Sequence, residues 1–165
     1  MKNLVLALSF SLVIAGCGGE KAPDPVVTQP TPTLGRQVPL AQYSKKTITV
    51  KGKEISAYVA DEQAERTEGL MFVKDGELGE NEGMVFVFPN SQQMSFWMEN
   101  TLIPLDIAYL DESGKILNIR QMEPLDRSPQ PSAGSARYAV ETNVGWFEKN
   151  GIKAGEKFDL SAVLE

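Results

Sequence analysis

From Lys46 to Ala60 the chain reads KTITVKGKEISAYVA, with apolar and polar residues alternating on both sides of Lys51 and Gly52. A period of two sets successive side chains on opposite faces of a strand, so two strands joined by a hairpin turn are predicted. The period then changes. In DEQAERTEGLM, Asp61 to Met71, Asp61 can cap a helix, Glu62 and Glu65 suit its positive N-terminus, and Gly69 can end it in left-handed geometry. A helix of about two turns is expected. GMVFVFP, Gly83 to Pro89, is apolar on both faces and predicts an interior strand ended by proline.

In MSFWM, Met94, Phe96 and Met98 fall on one face of a strand while Ser95, Trp97 and Glu99 fall on the other. With the methionine face in the core, Trp97 lies on the polar side. After a turn at NTLIP the strand LDIAYLD places Asp106 on one face with Ala108 and Leu110, a costly position for an unpaired charge. GKILNIR is a further strand, and MEPLDRSPQPSAGSA is a long polar surface loop of the kind that carries function. RYAVET puts Ala139 and Glu141 on one strand face, NVGWFEKNG is a short helix stopped by Gly151, and EKFDLSAVL closes the sheet. Many short strands and one or two brief helices predict a mainly β fold, a β-sandwich or jelly-roll-like partly closed barrel.

The first residues change the picture of where this domain resides. MKNLVLALSFSLVIAGC carries a charge at Lys2, an apolar run from Leu4 to Ile14, and small residues before Cys17. This is a signal peptide over residues 1–16 with a lipobox, and the sole cysteine of the chain becomes a lipidated N-terminus. The alternative is an ordinary secretory signal with a cysteine beside its cut site. Gly18, rather than an aspartate, follows Cys17, which by the bacterial sorting rule favours the periplasmic face of the outer membrane. Residues 17–43 hold five prolines between Pro23 and Pro39 and read as an extended tether, leaving residues 44–165 as one domain.

Charge and absent residue types narrow the chemistry. Sixteen Lys and Arg stand against 22 Asp and Glu, a formal net charge of −6, so nucleic acid and other polyanions are repelled. There is no histidine, and lipid consumes the one thiol, which removes thiol nucleophiles, histidine triads and His/Cys zinc sites together. No cofactor or metal is expected. Carboxylate, hydroxyl, lysine and thioether chemistry remain.

Four functions survive. The first is a binding module for a small polar ligand or glycan built from Trp97, Asn100, Thr101 and Asp106, with Arg66 and Glu141 as partners, an indole platform ringed by directional hydrogen-bonding groups. The bland alternative has Asn100 and Thr101 satisfying turn backbone, Asp106 paired with Arg66, and Trp97 covered by the long loop. The second is a hydrolase pairing Asp106 with Glu141, one of them kept protonated by burial. The third uses Met71, Met84, Met94, Met98 and Met122 as cuprous ligands, against the commoner role of methionine as a gap-filler in cores. The fourth is a scaffold that binds another envelope protein without a ligand site. Binding rather than catalysis is the expectation.

The blocks RTEGLM, GMVFVF, FWMENTLIPLDIAY and YAVETNVGWFEKNGIKAGEKF resemble the DUF192 family, also labelled UPF0127. The resemblance implies a compact β-rich domain, often behind a signal sequence, and carries no established activity and no catalytic residue. Glu99 departs from the basic residue common at that place in the family, which puts in doubt any site that relies on positive charge beside Asn100.

Overall fold

The computed structural model describes residues 35–164. The signal peptide, Cys17 and most of the expected tether lie outside the described residues. The rest forms a single seven-stranded sheet, β1 (Lys45–Val50), β2 (Lys53–Ala60), β3 (Glu82–Phe96), β4 (Leu105–Leu110), β5 (Ile116–Met122), β6 (Gln130–Asn143) and β7 (Phe158–Asp159), in the order β5-β4-β6-β3-β2-β1-β7. Two short helices, α1 (Gln63–Glu68) and α2 (Trp146–Lys149), complete it. The mainly β, partly closed barrel with one or two short helices is therefore the architecture observed.

The first hairpin forms as its alternation predicts, with Lys51 and Gly52 at φ 51° and 72° in the turn. α1 then carries the chain over to β3, which pairs parallel with β2 while every other pairing is antiparallel. The helix starts one residue later than expected. Glu62 is its N-cap in a reciprocal capping box with Glu65, and Gly69 at φ 49° ends it.

Two expectations are corrected along β3 and β6. β3 does not end at Pro89 but runs on to Phe96, because its register with β6 breaks between Val87 and Gln92 and the proline sits where no ladder donor is required. The second half of the expected loop, Gln130 to Ala136, is strand, pairing Ser95 with Pro131 and Phe96 with Gln130. Polar composition hid it because this part of β6 is largely exposed. At the other end of the ladder Gly83 is obligatory: a Cβ there would lie 2.3 Å from the Glu141 carbonyl oxygen.

Both faces of the sheet are covered. One face gathers Met84, Phe86, Met94, Met98, Leu105, Ile107, Tyr109 and Met122, with Leu70 and Val73 from the α1 side. The other gathers Val85, Ala108, Leu110, Tyr138 and Val140 beneath Trp146, Phe147 and Phe158. Met84, Met94, Met98 and Met122 are 4% exposed or less inside the first cluster, packing as gap-fillers in the core, whereas Met71 is half-buried and lines the α1 side of a cleft.

The two sheet edges approach each other. Ile116 N donates to Glu156 O, Gly155 N to Ile116 O and Phe158 N to Gly114 O, all between 2.8 and 2.9 Å. Gly114, at φ 83°, has room for no Cβ against the Phe158 carbonyl oxygen, 2.8 Å away, so the seam depends on it.

The domain also begins earlier than residue 44. Glu68, 9% exposed, accepts from the backbone N–H groups of Gln37 and Val38 and faces Arg36 at 3.6 Å. Arg36 donates in turn to the carbonyls of Gly69 and Met71 at 2.9 and 2.8 Å. Tyr43 is buried, and Val38 and Leu40 pack against the core. The end of the expected tether is thus docked chain.

Candidate functional site

α1, the Gly69–Met71 turn and the far end of β3 enclose an open cleft of about 210 Å³. Four of the six residues expected at a ligand site line it: Arg66, Trp97, Thr101 and Glu141. Asn100 and Asp106 do not. Phe86, Phe88 and Phe96 form much of the remaining wall, with Phe86 and Phe96 edge to face at 4.9 Å between centroids and Phe96 against Tyr109 at 5.8 Å.

Glu141 is the chemical centre of this cleft. Strand alternation puts it on the same face as Ala139, and its register partners are Met84 on β3 and Ile107 on β4, both fully buried. The residue is 4% exposed, and among the described residues its carboxyl has no hydrogen-bonding or charged partner. Burial alone pushes its pKa up to about 8 from an ordinary 4.5. At neutral pH it is mainly the neutral acid, able to donate as well as accept.

Arg66 reaches the cleft from α1. Its Nη1 donates to the Val87 carbonyl at 3.0 Å and to that of Asp61, its Nη2 to Gln63 Oε1 at 3.3 Å, and its Cζ lies 5.2 Å from the centre of the Phe88 ring. Its Nε is buried and unpartnered among the described residues. The expected alternative, an Arg66–Asp106 ion pair, is not formed.

Asp106 is on the opposite side of the sheet. Its register partner is Thr142, one step from Glu141, so its side chain emerges under α2, where Oδ2 accepts from Gly145 N at 2.9 Å and the carboxylate also accepts from Phe147 N. Burial raises its pKa and these two N–H groups oppose the rise. It holds the start of α2. The Asp106–Glu141 pairing on which a hydrolase was built is therefore contradicted, because the sheet separates the two carboxyls.

Trp97 is 52% exposed and forms part of the cleft wall; the long loop does not cover it. Asn100 serves the turn. At φ 55° its carbonyl accepts from Phe72 N at 2.8 Å, while the Thr101 carbonyl accepts from Leu125 N at 3.0 Å. Phe72 and Leu125 also have positive φ, 61° and 62°, a conformation that costs non-glycine residues roughly 1–2 kcal/mol each. Three of the four such residues in the described chain are joined at this margin, and strained backbone of this kind concentrates at ligand sites. Thr101 is buried, with its hydroxyl donating to the Glu99 carbonyl at 3.3 Å. Glu99 itself pairs with Arg127 at 2.7 Å on the surface, outside the cleft lining.

Sequence reasoning missed Glu68, Phe88 and Phe96 as neighbours of the site. Helical spacing gave no signal for Glu68: it follows Arg66 by two positions, which turns it away from Arg66 on α1, toward Gln37 and Val38. Among the described residues no group of three or more Asp or Glu side chains is placed to hold a metal ion.

Comparison places these features in a family. A crystal structure of a protein of unknown function from Novosphingobium aromaticivorans DSM 12444 matches with a TM-score of 0.65 and 31% identity, covering 76% of this chain and 99% of that one. A candidate transcription regulator from Sinorhizobium meliloti 1021 matches with a TM-score of 0.67 and 24% identity over 71% of this chain and 94% of that one, a likeness of fold. No curated protein matches the chain. The DUF192 family model, described as an uncharacterised ACR, matches residues 46–160. That span runs from the second residue of β1 to just past β7 and takes in Arg66, Trp97, Thr101 and Glu141, so the chain belongs to the DUF192 family.

Proposed function

We propose that this chain is an envelope lipoprotein, held through Cys17 at the periplasmic face of the outer membrane, whose domain binds a small polar ligand or glycan in the Arg66–Glu141 cleft. The observation that carries the binding reading is the Glu141 carboxyl, buried and unpartnered at an open cleft. A buried polar group without a partner costs about 1–3 kcal/mol, and a ligand that satisfies it recovers that cost. Trp97 and the phenylalanines supply flat apolar walls, and Arg66 Nε supplies a second unsatisfied donor. At about 210 Å³ the cleft is below the roughly 300 Å³ of the smallest drug-sized pockets, which fits a ligand of one ring.

Backbone and indole N–H chemical shifts of the full chain, titrated with a panel of monosaccharides, polyols and amino acids, test this reading. The expected result is saturable movement of the Trp97 indole and of the Gly69–Met71 amides, lost in Trp97→Ala. No movement with any member of the panel overturns it. Lipidation is tested by the mass of the N-terminal peptide and by loss of membrane association in Cys17→Ser.

A second reading, binding of an envelope protein partner, draws on the exposed apolar side chains Trp97, Leu102 and Leu125. Met98 N bonded to Asp126 O and Leu125 N bonded to Thr101 O hold these two segments together. Cross-linking in intact cells that depends on Leu125 but not on Glu141 favours this reading over the first.

A further inference from the structure

Resting on the binding reading above, we infer that the cleft selects ligands bearing a primary ammonium group, which the Glu141 carboxylate receives beside the exposed Trp97 indole. Apolar side chains and groups with partners of their own surround Glu141. β3 presents Met84 and Phe86 on its face, and β4 presents Ile107 and Tyr109. Tyr109 donates its hydroxyl to the Gln130 carbonyl. Beyond Ile107, β5 carries Arg120, whose Nε donates to the Pro131 carbonyl at 2.9 Å. From α1 come Glu68, held by Arg36 and two backbone N–H groups, and Arg66, whose terminal nitrogens are engaged by two carbonyls and Gln63.

Apart from Arg66 Nε, the charged groups named here have their own partners, and neither Arg66 nor Arg120 lowers the pKa of Glu141, which responds to burial alone. A buried acid without a cation is complemented most strongly by a cation from outside. The half-exposed Trp97 indole at the cleft wall favours an ammonium as well, through the negative charge above and below its ring. The net charge of −6 attracts cations to the surface.

The proton balance follows. Free protein holds Glu141 as the acid near neutral pH; on binding, Glu-COOH and R-NH3+ become a carboxylate–ammonium pair and one proton leaves to solvent. No covalent bond to the ligand forms. Below the pKa of Glu141, affinity for an ammonium therefore rises with pH by up to about tenfold per unit, and levels off above it.

The test uses two probes of one shape on the full chain: trans-4-aminocyclohexanol, an ammonium throughout the range, and trans-cyclohexane-1,4-diol, its neutral counterpart. Affinities come from shifts of the Trp97 indole and cleft amides between about pH 6 and 8, and proton release from calorimetry in two buffers of different ionisation enthalpy. The expected result is at least about tenfold tighter binding of the amine than of the diol at the upper pH, release of nearly one proton at the lower pH falling to about half a proton at the upper, and loss of both in Glu141→Gln. Equal affinity for the two probes, or amine binding without proton release, overturns ammonium selection and leaves the polar-ligand reading standing. If Glu141→Gln keeps the preference, the assignment to Glu141 falls. If neither probe moves the cleft resonances while a neutral sugar does, ammonium selection alone falls; if nothing does, both readings fall together.

Discussion

Asp106 and Glu141 sit one register step apart on adjacent strands and point to opposite sides of the same sheet. Carboxylate pairs that cleave glycosidic bonds flank one reacting centre at separations of roughly 5 to 9.5 Å. Here the backbone of β4 and β6 stands between them. The two acids share an unfavourable degree of burial but answer it differently, Asp106 by accepting from the N–H groups at the start of α2, Glu141 by holding its proton.

Glu141→Gln should change how stability depends on pH. The folded-state pKa, about 8, exceeds the ordinary 4.5, so between these values the folded chain binds a proton that the unfolded chain has lost. Stability of the parent therefore falls as pH rises from about 5 to 8, by at most about 1.4 kcal/mol per unit. Urea unfolding across that range should show the decline in the parent and its absence in Glu141→Gln. A parent curve no steeper than the variant would mean that Glu141 ionises normally.

Asp106→Ala should destabilise the domain by about 1–3 kcal/mol, because the Gly145 and Phe147 N–H groups lose their acceptor. Asp106→Asn keeps an acceptor oxygen and should cost less. Neither should move the Trp97 indole resonance, since the change lies across the sheet; denaturant midpoints and one-dimensional spectra suffice to check both statements.

The two tryptophans should separate by thermal melting. Trp146 is 4% exposed, with its indole N–H donating to Asn81 Oδ1 at 3.0 Å, so Trp146→Ala should cost about 3–5 kcal/mol. Trp97 is half exposed, and Trp97→Ala should stay within roughly 1 kcal/mol of the parent. A large loss from Trp97→Ala would identify it as a packing residue.

Glu68→Ala should release the segment from Arg36 to Tyr43. Removing one partner of a buried ion pair costs about 3–5 kcal/mol, and here two backbone donors are stranded as well. Hydrogen exchange read by mass spectrometry should accelerate at Gln37 and Val38 far more than in β4, where all six residues are buried.

What could be read from the sequence was what is local. The hairpin around Lys51–Gly52, the capped helix ending at Gly69 and the outward aspect of Trp97 all follow from spacing and turn chemistry, and all are found. Pairing partners did not follow. Nothing in GMVFVF says that β3 lies parallel to β2, or that a register break lets the strand pass Pro89. The same limit decided the site. Arg66, Trp97, Thr101 and Glu141 converge because the Arg66 side chain reaches from α1 to the Val87 carbonyl of β3, beside Glu141 on β6, whereas Asp106 belongs to the other side through a register that composition does not carry. Glu68 escaped notice because its partners, Gln37 and Val38, are some thirty residues away in a stretch rich in proline.

The seam at Gly114 bears on how this protein can meet others. Unpaired strand edges invite other chains to add a strand, and folds that persist at high density blunt them. Here β7 covers the Thr49–Val50 end of β1, and the uncovered end carries Lys45 and Lys46. The first residue of β5 is bonded to the Gly155–Glu156 stretch, and further along Asn118 and Arg120 turn their side chains back to the Pro131 carbonyl. What remains open to an added strand among the described residues is Lys45–Ile48 of β1, blunted by its two lysines, and Leu117–Met122 of β5, so a partner that pairs backbone with this domain would meet it at the β5 edge.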